Sequence, residues 1–489
     1  MSRSREGYLW TKSGITTGLP TKAVISSTAS IKPSYDVIIV GAGFTGLRAA
    51  RELVRHYGLS VLIVEGRDRI GGRTWTAQAF GEDFEMGGTW VHWNQPHLYA
   101  ELHRYNLHKN LKSSAGTIGA VKTYYKTAEG EVQEIDGPAQ AEVIQAVAKE
   151  FFTIDGLSSY ELMPYPHDPF REPAPWTKYD HLTVRQRLDQ LHLPKLHKGY
   201  FESAVNTFGT APSTDIGFIE ALRWYALGGH NMTQVFELAG IYKLGKGGMT
   251  SFARSILDDA QCDILLNTVI SEIVQDNRAG VVVKSKDGRS LRGKAIVCTV
   301  PLNCLGDVKF SPPLNPLKVK AIEKGHINKG AKIHFKLAKT EPGWYASCDG
   351  YSTSSFSFAF SDHNGTSPSG PSGTYCIGFG YNDRLQDPRN SKHIIEEFKK
   401  DLRPDAEVEG YLTHDWMNDP LAKGVWSCWG NYSMTRYLQE LQKPHGNVFF
   451  ASADWADGWR GFVDGALESG LRTAQDVAQK LSASPGPRL

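Results

Sequence analysis

The chain has 489 residues, more than one small core organises, which points to two or three domains in a globular, enzyme-sized protein. Lysine plus arginine (54) nearly balances aspartate plus glutamate (52), so no field of one sign argues for nucleic acid or an anionic membrane as partner. The six cysteines (Cys262, Cys298, Cys304, Cys348, Cys376 and Cys428) show no C-x-x-C pair and no metal-ligand spacing, which argues against a metal site or a disulfide framework and suits a reducing, intracellular compartment.

Residues 1–33 form a polar N-terminal extension without the apolar core of a secretory signal, and no window reaches the roughly 18 consecutive apolar residues of a membrane span. Asp36-Val37-Ile38-Ile39-Val40 is a β-branched run suited to a parallel strand buried on both faces. Gly41-Ala42-Gly43-Phe44-Thr45-Gly46 follows directly, and a helix is expected from about Leu47 to His56. Gly41 permits the tight turn, Gly43 lets backbone approach a diphosphate, and Gly46 lets the helix pack closely on the sheet. A lone G-x-G-x-x-G is weak evidence. Here a second strand, Val61-Leu62-Ile63-Val64, ends in Glu65, about 20 residues beyond the glycines, where an acidic side chain accepts ribose hydroxyls.

Glu65-Gly66-Arg67 leads into Gly71-Gly72-Arg73, which brings a second glycine pair and an arginine toward the phosphate turn, where a guanidinium can pair with phosphate oxygens. With Glu85-Met86-Gly87-Gly88-Thr89-Trp90-Val91-His92 added, the sequence resembles the flavin-containing amine oxidases, the monoamine and polyamine oxidase superfamily, and within it the fungal monoamine oxidases. The resemblance covers about 34 to 480 and implies FAD as cofactor, with Gly87, Gly88, Thr89 and Trp90 in a second flavin-contacting loop.

Further along, Pro96 to Leu111 reads as a helix, Val121 to Tyr125 and Val132 to Ile135 as a hairpin, and Ala139 to Thr153 as a helix. Met163 to Pro175 is a proline-dense loop, and helices are expected at Val184 to Leu193, Lys198 to Phe208 and Ile216 to Ala226. Trp224, Tyr225, Phe236 and Tyr242 read as core by spacing, whereas the resemblance puts part of the substrate cavity on this segment.

Lys246-Gly247-Gly248-Met249 is similar to the motif at which the family's chain returns to the flavin domain, and strands resume from Cys262 to Val300. The resemblance assigns Val269 an adenine contact. Gly330 to Leu337 alternates Lys332, His334 and Lys336 against Ile333, Phe335 and Leu337, a strand with one wet and one buried face. On this reading Lys332 is a surface residue. By resemblance it is the lysine that holds a water against the flavin N5.

Strands continue from Tyr351 to Tyr381 around a Gly/Ser/Pro loop at Asn364 to Gly373, and a helix spans Ser391 to Leu402. Asn447 to Ala451 is a buried strand and Asp464 to Leu481 the closing helix; between them, Ser452-Ala453-Asp454 and Trp459-Arg460-Gly461-Phe462-Val463 resemble the last flavin motif. The resemblance places Trp416, Ser452, Asp454, Phe462 and Val463 at the cofactor, with Asp454 toward the ribityl chain.

It also makes Trp426 and Phe462 the aromatic cage over the flavin, where the usual pair is two tyrosines. Ring faces attract the nitrogen end of an amine and steer its C–H toward N5. By composition alone the same rings are ordinary core.

The expected architecture is α/β (α+β overall). A Rossmann-like FAD domain is assembled from 34–105, 246–325 and 440–484. A substrate domain of mixed antiparallel sheet and helices comes from 106–245 and 326–439. The implied reaction is FAD-dependent oxidation of small primary amines to imine and then aldehyde, with O2 reduced to hydrogen peroxide; a polyamine or L-amino-acid oxidase is the alternative. FAD is expected to be non-covalent, because Val425 stands where animal relatives carry the linking cysteine. The sequence leaves open a homo-oligomer and whether Pro487-Arg488-Leu489 is a peroxisomal address or a plain tail.

Overall fold

In a computed structural model, described for residues 2–114, 119–276, 280–349, 353–365 and 372–483, the strand Ser34–Val40 lies inside an eight-stranded sheet. It pairs in parallel with Val61–Val64 on one side and Ser290–Cys298 on the other, Ile39 standing opposite Ile63 and Val297. Asp263–Leu265 continues the parallel edge, Val448–Phe450 joins Ser290–Cys298, and Gly280–Ser285, Ile270–Asp276 and Lys309–Ser311 extend the other side. The β-branched run is buried on both faces. Val37 and Ile39 meet the helices Phe44–Arg55, Gly248–Ala260 and Val463–Ala483, while Ile38 and Val40 enter a second core with the Gly137–Phe151 to Phe218–Leu227 helical layer.

Helix packing around the first turn is close enough to require glycine. A Cβ at Gly46 would lie 2.1 Å from the Gly41 carbonyl oxygen, and one at Gly470 would lie 2.5 Å from that of Thr45. Gly46 therefore serves packing, as its spacing predicts.

A second sheet, nine-stranded among the described residues, runs in the order Gly14–Thr17, Tyr8–Thr11, Val408–Thr413, Ala331–Leu337, Thr374–Gly380, Phe356–His363, Trp344–Cys348, Lys122–Lys126 and Val132–Ile135. Its pairs are antiparallel except Trp344–Cys348 with Lys122–Lys126. Two sequence expectations change here. The N-terminal extension is partly built into the fold, because Tyr8–Thr11 adds to the edge of Val408–Thr413 and Glu6 pairs with Arg67 and Arg69. The strand Ala331–Leu337 has no wet face: Lys332 and His334 are buried beneath the Glu85–Thr89 loop, and Lys336 is half-buried.

Helix boundaries move by a few residues, and the helices Ser159–Leu162, Met232–Gly240, Pro316–Lys324 and Met434–Gln442 lie beyond those expected. No helix among the described residues is long and apolar enough to cross a membrane. The Pro487-Arg488-Leu489 tripeptide lies outside the described residues.

Candidate active site

Along the mouth of the first turn, helix Phe44–Arg55 begins at Gly43 with no side-chain cap and no acidic residue in its first turn. Its free N–H groups and the positive end of its dipole face a cavity of about 600 Å³ lined by Gly41, Gly43, Phe44 and Thr45. Gly71 bridges to Gly43, and a Cβ at Gly72 would lie 3.2 Å from the Gly43 Cα, so the two glycine turns form one backbone cradle. An uncapped helix start beside a side-chain-free cradle fits a dinucleotide diphosphate. Glu65 also lines the cavity; its Oε2 accepts the Ala42 N–H at 2.7 Å and its Oε1 the Arg67 N–H at 2.8 Å, which fixes the carboxylate while leaving lone pairs for ribose hydroxyls.

All three arginines of the second turn are engaged by the protein itself. Arg67 pairs with Glu6 and Asp419, and His414 Nε2 donates to Asp419 Oδ2 at 2.7 Å. Glu6, His414 and Asp419 come close enough to hold a metal ion, but with Arg67 and Arg69 paired into the same group the cluster is an ion-pair network. Arg73 donates to Asp454 Oδ1 at 2.7 Å and to the Val425 carbonyl at 2.8 Å. Asp454 is fully buried, and its second oxygen accepts the Leu302 N–H at 2.8 Å. Burial opposes its charge, but Arg73 holds the carboxyl below the usual carboxylate range. Arg73 thus lines the cavity with its guanidinium tied to protein, and Asp454 faces Arg73 and Leu302 rather than the cavity.

Gly66, Gly71, Gly72, Gly87, Gly88, Thr89, Trp90, Val269, Trp416, Ser452, Phe462 and Val463 all line the same cavity, as do Lys332 and Trp426. Of the residues named from sequence, Gly46 and Asp454 stand behind the wall. Lys332 Nζ donates to the Glu85 carbonyl at 2.9 Å, to the Gly87 carbonyl at 2.8 Å and to Thr89 Oγ1. Burial pushes this amine down to about 7, against the attraction of the Glu85 carboxylate. Glu85 is itself raised by burial, although Met249 N–H and Thr76 Oγ1 donate to it.

The two rings expected to form a cage come from segments that touch. Gly461 has φ +85°, and a Cβ there would sit 2.6 Å from the Ser427 carbonyl oxygen, so Phe462 and Trp426 are carried by backbones in contact. The Trp426 indole N–H donates to the Phe208 carbonyl at 2.7 Å, and its ring stands edge-on to Phe379 at 5.9 Å. Phe462 packs on Trp459 and Trp224, each at 4.9 Å. Trp224 and Phe236 line the cavity, whereas Tyr225 and Tyr242 do not.

Sequence reading missed the rest of the aromatic wall: Phe358, Phe360 and Phe379, with Tyr345 beside them. The run Phe356-Ser357-Phe358-Ala359-Phe360 would put all three phenylalanines on one face. A register shift between Phe356 and Phe358 sends Phe356 into the core behind the sheet and leaves Phe358 and Phe360 at the cavity. Alternation was the available signal, and the bulge is invisible to it.

Residues 44–478 match the family model described as flavin containing amine oxidoreductase. A pseudooxynicotine dehydrogenase from a Pseudomonas species is 34% identical over 450 residues, covering 91% of this chain and 87% of that protein. A nicotine dehydrogenase from Pseudomonas putida is 29% identical over 498 residues, covering 98% of each. Among solved structures, the cyclohexylamine oxidase of Brevibacterium oxydans superposes with a TM-score of 0.74 at 22% identity, over 92% of this chain and 100% of that one, a likeness of fold.

Proposed function

The chain belongs to the flavin-containing amine oxidoreductase family, as an enzyme that uses FAD, and from that premise we propose that it oxidises small, largely apolar primary amines. Bound FAD supplies the two-electron acceptor. The amine loses a hydride equivalent from the carbon bearing nitrogen and a proton from nitrogen. The resulting imine takes up water and releases ammonia and a carbonyl compound, and O2 takes the two electrons with two protons to give hydrogen peroxide. In this reading Trp426 and Phe462 orient the neutral amine, and Lys332 would hold a water against the flavin N5.

One observation carries the substrate class. The charged side chains at the cavity are Glu65, Arg67, Arg73, Lys286, Asp307 and Lys332. The first three follow the phosphate turn, Lys286 is exposed with its backbone N–H on the Val269 carbonyl, Asp307 pairs with Lys423, and Lys332 sits at the Gly87 loop. Among the described residues, the wall of Phe358, Phe360, Phe379, Trp224, Trp426 and Phe462 thus offers no carboxylate for a second ammonium and no guanidinium for a substrate carboxylate. That argues for monoamines over polyamines and L-amino acids.

The segments 34–105, 246–325 and 440–484 would carry FAD and 106–245 with 326–439 the substrate wall, a division supported by the two sheets. We further propose that FAD is held without a covalent bond: Val425 has no nucleophile, and Cys428 packs with its Sγ against Gly209, away from the cavity wall.

A second reading of the electron acceptor is favoured by the names of the two bacterial relatives, both dehydrogenases. A panel of aliphatic and arylalkyl amines, spermine and L-amino acids, assayed for peroxide and for reduction of a dye acceptor, separates the readings. Peroxide from monoamines alone supports the proposal. Dye reduction without peroxide makes the enzyme a dehydrogenase, and turnover of spermine or amino acids alone overturns the substrate class.

A further inference from the structure

Four tryptophans line the cavity among the described residues, and three have spent their indole N–H. Trp90 donates to Ser114 Oγ at 3.4 Å, Trp416 to the Met86 carbonyl at 2.8 Å and Trp426 to the Phe208 carbonyl at 2.7 Å. The fourth, Trp224, is 5% exposed, and its Nε1 has no partner. The hydroxyls on the neighbouring helical segment show the same contrast. Thr207 Oγ1 donates to the Ala204 carbonyl at 2.6 Å, while Ser203 Oγ, in a side chain 2% exposed, has none. Of the buried polar side-chain atoms left without a partner, these two belong to cavity-lining residues.

Buried donors without acceptors are costly, and proteins keep few of them. An indole N–H can only donate, so what it lacks is an acceptor; a second ammonium would leave it unsatisfied. Trp224 stacks on Phe208 at 4.6 Å and lies against the cage ring Phe462, which puts the missing acceptor near the amine-binding end of the aromatic wall.

We propose that Ser203 and Trp224 form a specificity subsite for a neutral hydrogen-bond acceptor carried by the amine substrate, such as a carbonyl oxygen or a heteroaromatic ring nitrogen. This rests on the amine-oxidising reading above and narrows its substrate class to acceptor-bearing arylalkyl amines. A ring nitrogen, with one lone pair, satisfies one of these donors when substrate enters and a carbonyl oxygen can take more, whereas an all-hydrocarbon isostere leaves both unpaired. Such sites discriminate against the analogue that lacks the partner.

The test compares 4-phenylbutylamine with its 2-, 3- and 4-pyridyl isosteres, which differ only in one ring nitrogen. At least one pyridyl isomer is expected to exceed the phenyl compound in kcat/KM by about tenfold, the preference one neutral hydrogen bond supports. That ratio should collapse toward one in Ser203→Ala or in Trp224→Phe, each compared with its own rate on the phenyl compound. The amine-free propylpyridines and propylbenzene, titrated against the flavin absorbance of the holoenzyme, report the same preference as a ratio of Kd values. If none of the amines is oxidised while that binding preference appears and is lost in the variants, the subsite stands and the assigned reaction falls. A ratio near one for every isomer in the wild type, or a preference that survives both substitutions, overturns the proposal.

Discussion

The Arg73 guanidinium donates to Asp454 Oδ1 at 2.7 Å across 381 residues of sequence, and its other nitrogen holds the Val425 carbonyl next to Trp426. One side chain thus joins the second glycine turn to both segments that carry cage rings. Asp454→Ala strips the partner from Arg73 and leaves the Leu302 N–H without an acceptor, a change expected to cost about 3–5 kcal/mol. Asp454→Asn should cost less. Because the folded carboxyl titrates below its ordinary value, its contribution is present above the unfolded pKa and is lost as pH falls through the folded one. Urea melts of wild type and Asp454→Asn should therefore separate at neutral pH and converge in acid; equal separation at both would contradict the ion pair.

Gly461 is strained for any other residue by its φ of +85° and by the Ser427 carbonyl 2.6 Å from its Cβ position. Gly461→Ala is expected to destabilise by about 1–3 kcal/mol. It should also shift Phe462, lowering kcat with the fold intact by near-ultraviolet circular dichroism. Wild-type kcat in a stable Gly461→Ala protein would show that the contact does not set the ring.

Lys332→Met should slow turnover while FAD stays bound, because the amine sits at the Gly87 loop and not at the glycine cradle proposed for the phosphates. Stopped-flow measurement of both half-reactions locates the defect. The folded amine loses its proton near 7 against an ordinary 10.5, so the unfolded chain binds more protons between those values and this residue's contribution to stability rises with pH across that window. The same titration should give wild-type turnover a pH limb near 7 that Lys332→Met lacks. Unchanged kinetics in both half-reactions would remove Lys332 from the mechanism.

Acid precipitation should leave a colourless pellet and a yellow supernatant, as expected of non-covalent FAD. Burial pushes the Cys428 thiol well above its ordinary pKa, which disfavours the thiolate needed for attachment. Yellow colour retained by the pellet would establish a covalent bond.

The nucleotide turn is legible because its glycines and flanking β-branched strands are local signals: strand, turn and helix follow in the expected order and Gly46 packs as its spacing predicts, with Glu65 at the cavity. Direction was not legible. Asp454 lies in the right motif but faces Arg73, and Lys332 reads as a surface residue because alternation cannot show that a loop 243 to 247 residues away in sequence, Glu85 to Thr89, covers the strand. The polar hairpin Tyr8–Thr11 and Gly14–Thr17 escaped notice because an edge strand needs little apolar sequence when its partner, Val408–Thr413, supplies the buried face. The aromatic wall at Phe358 and Phe360 depends on one register shift.

Monoamine oxidation here requires the cavity to bring the amine against FAD between Trp426 and Phe462. Anaerobic mixing of the yellow protein with 4-phenylbutylamine and its pyridyl isosteres, followed by flavin absorbance, tests it most directly. The account predicts bleaching by at least one amine, slowed about a hundredfold or more in Trp426→Ala at a Tm that still leaves the protein folded. Persistence of the oxidised spectrum with every monoamine, or bleaching at the wild-type rate in Trp426→Ala, would contradict it.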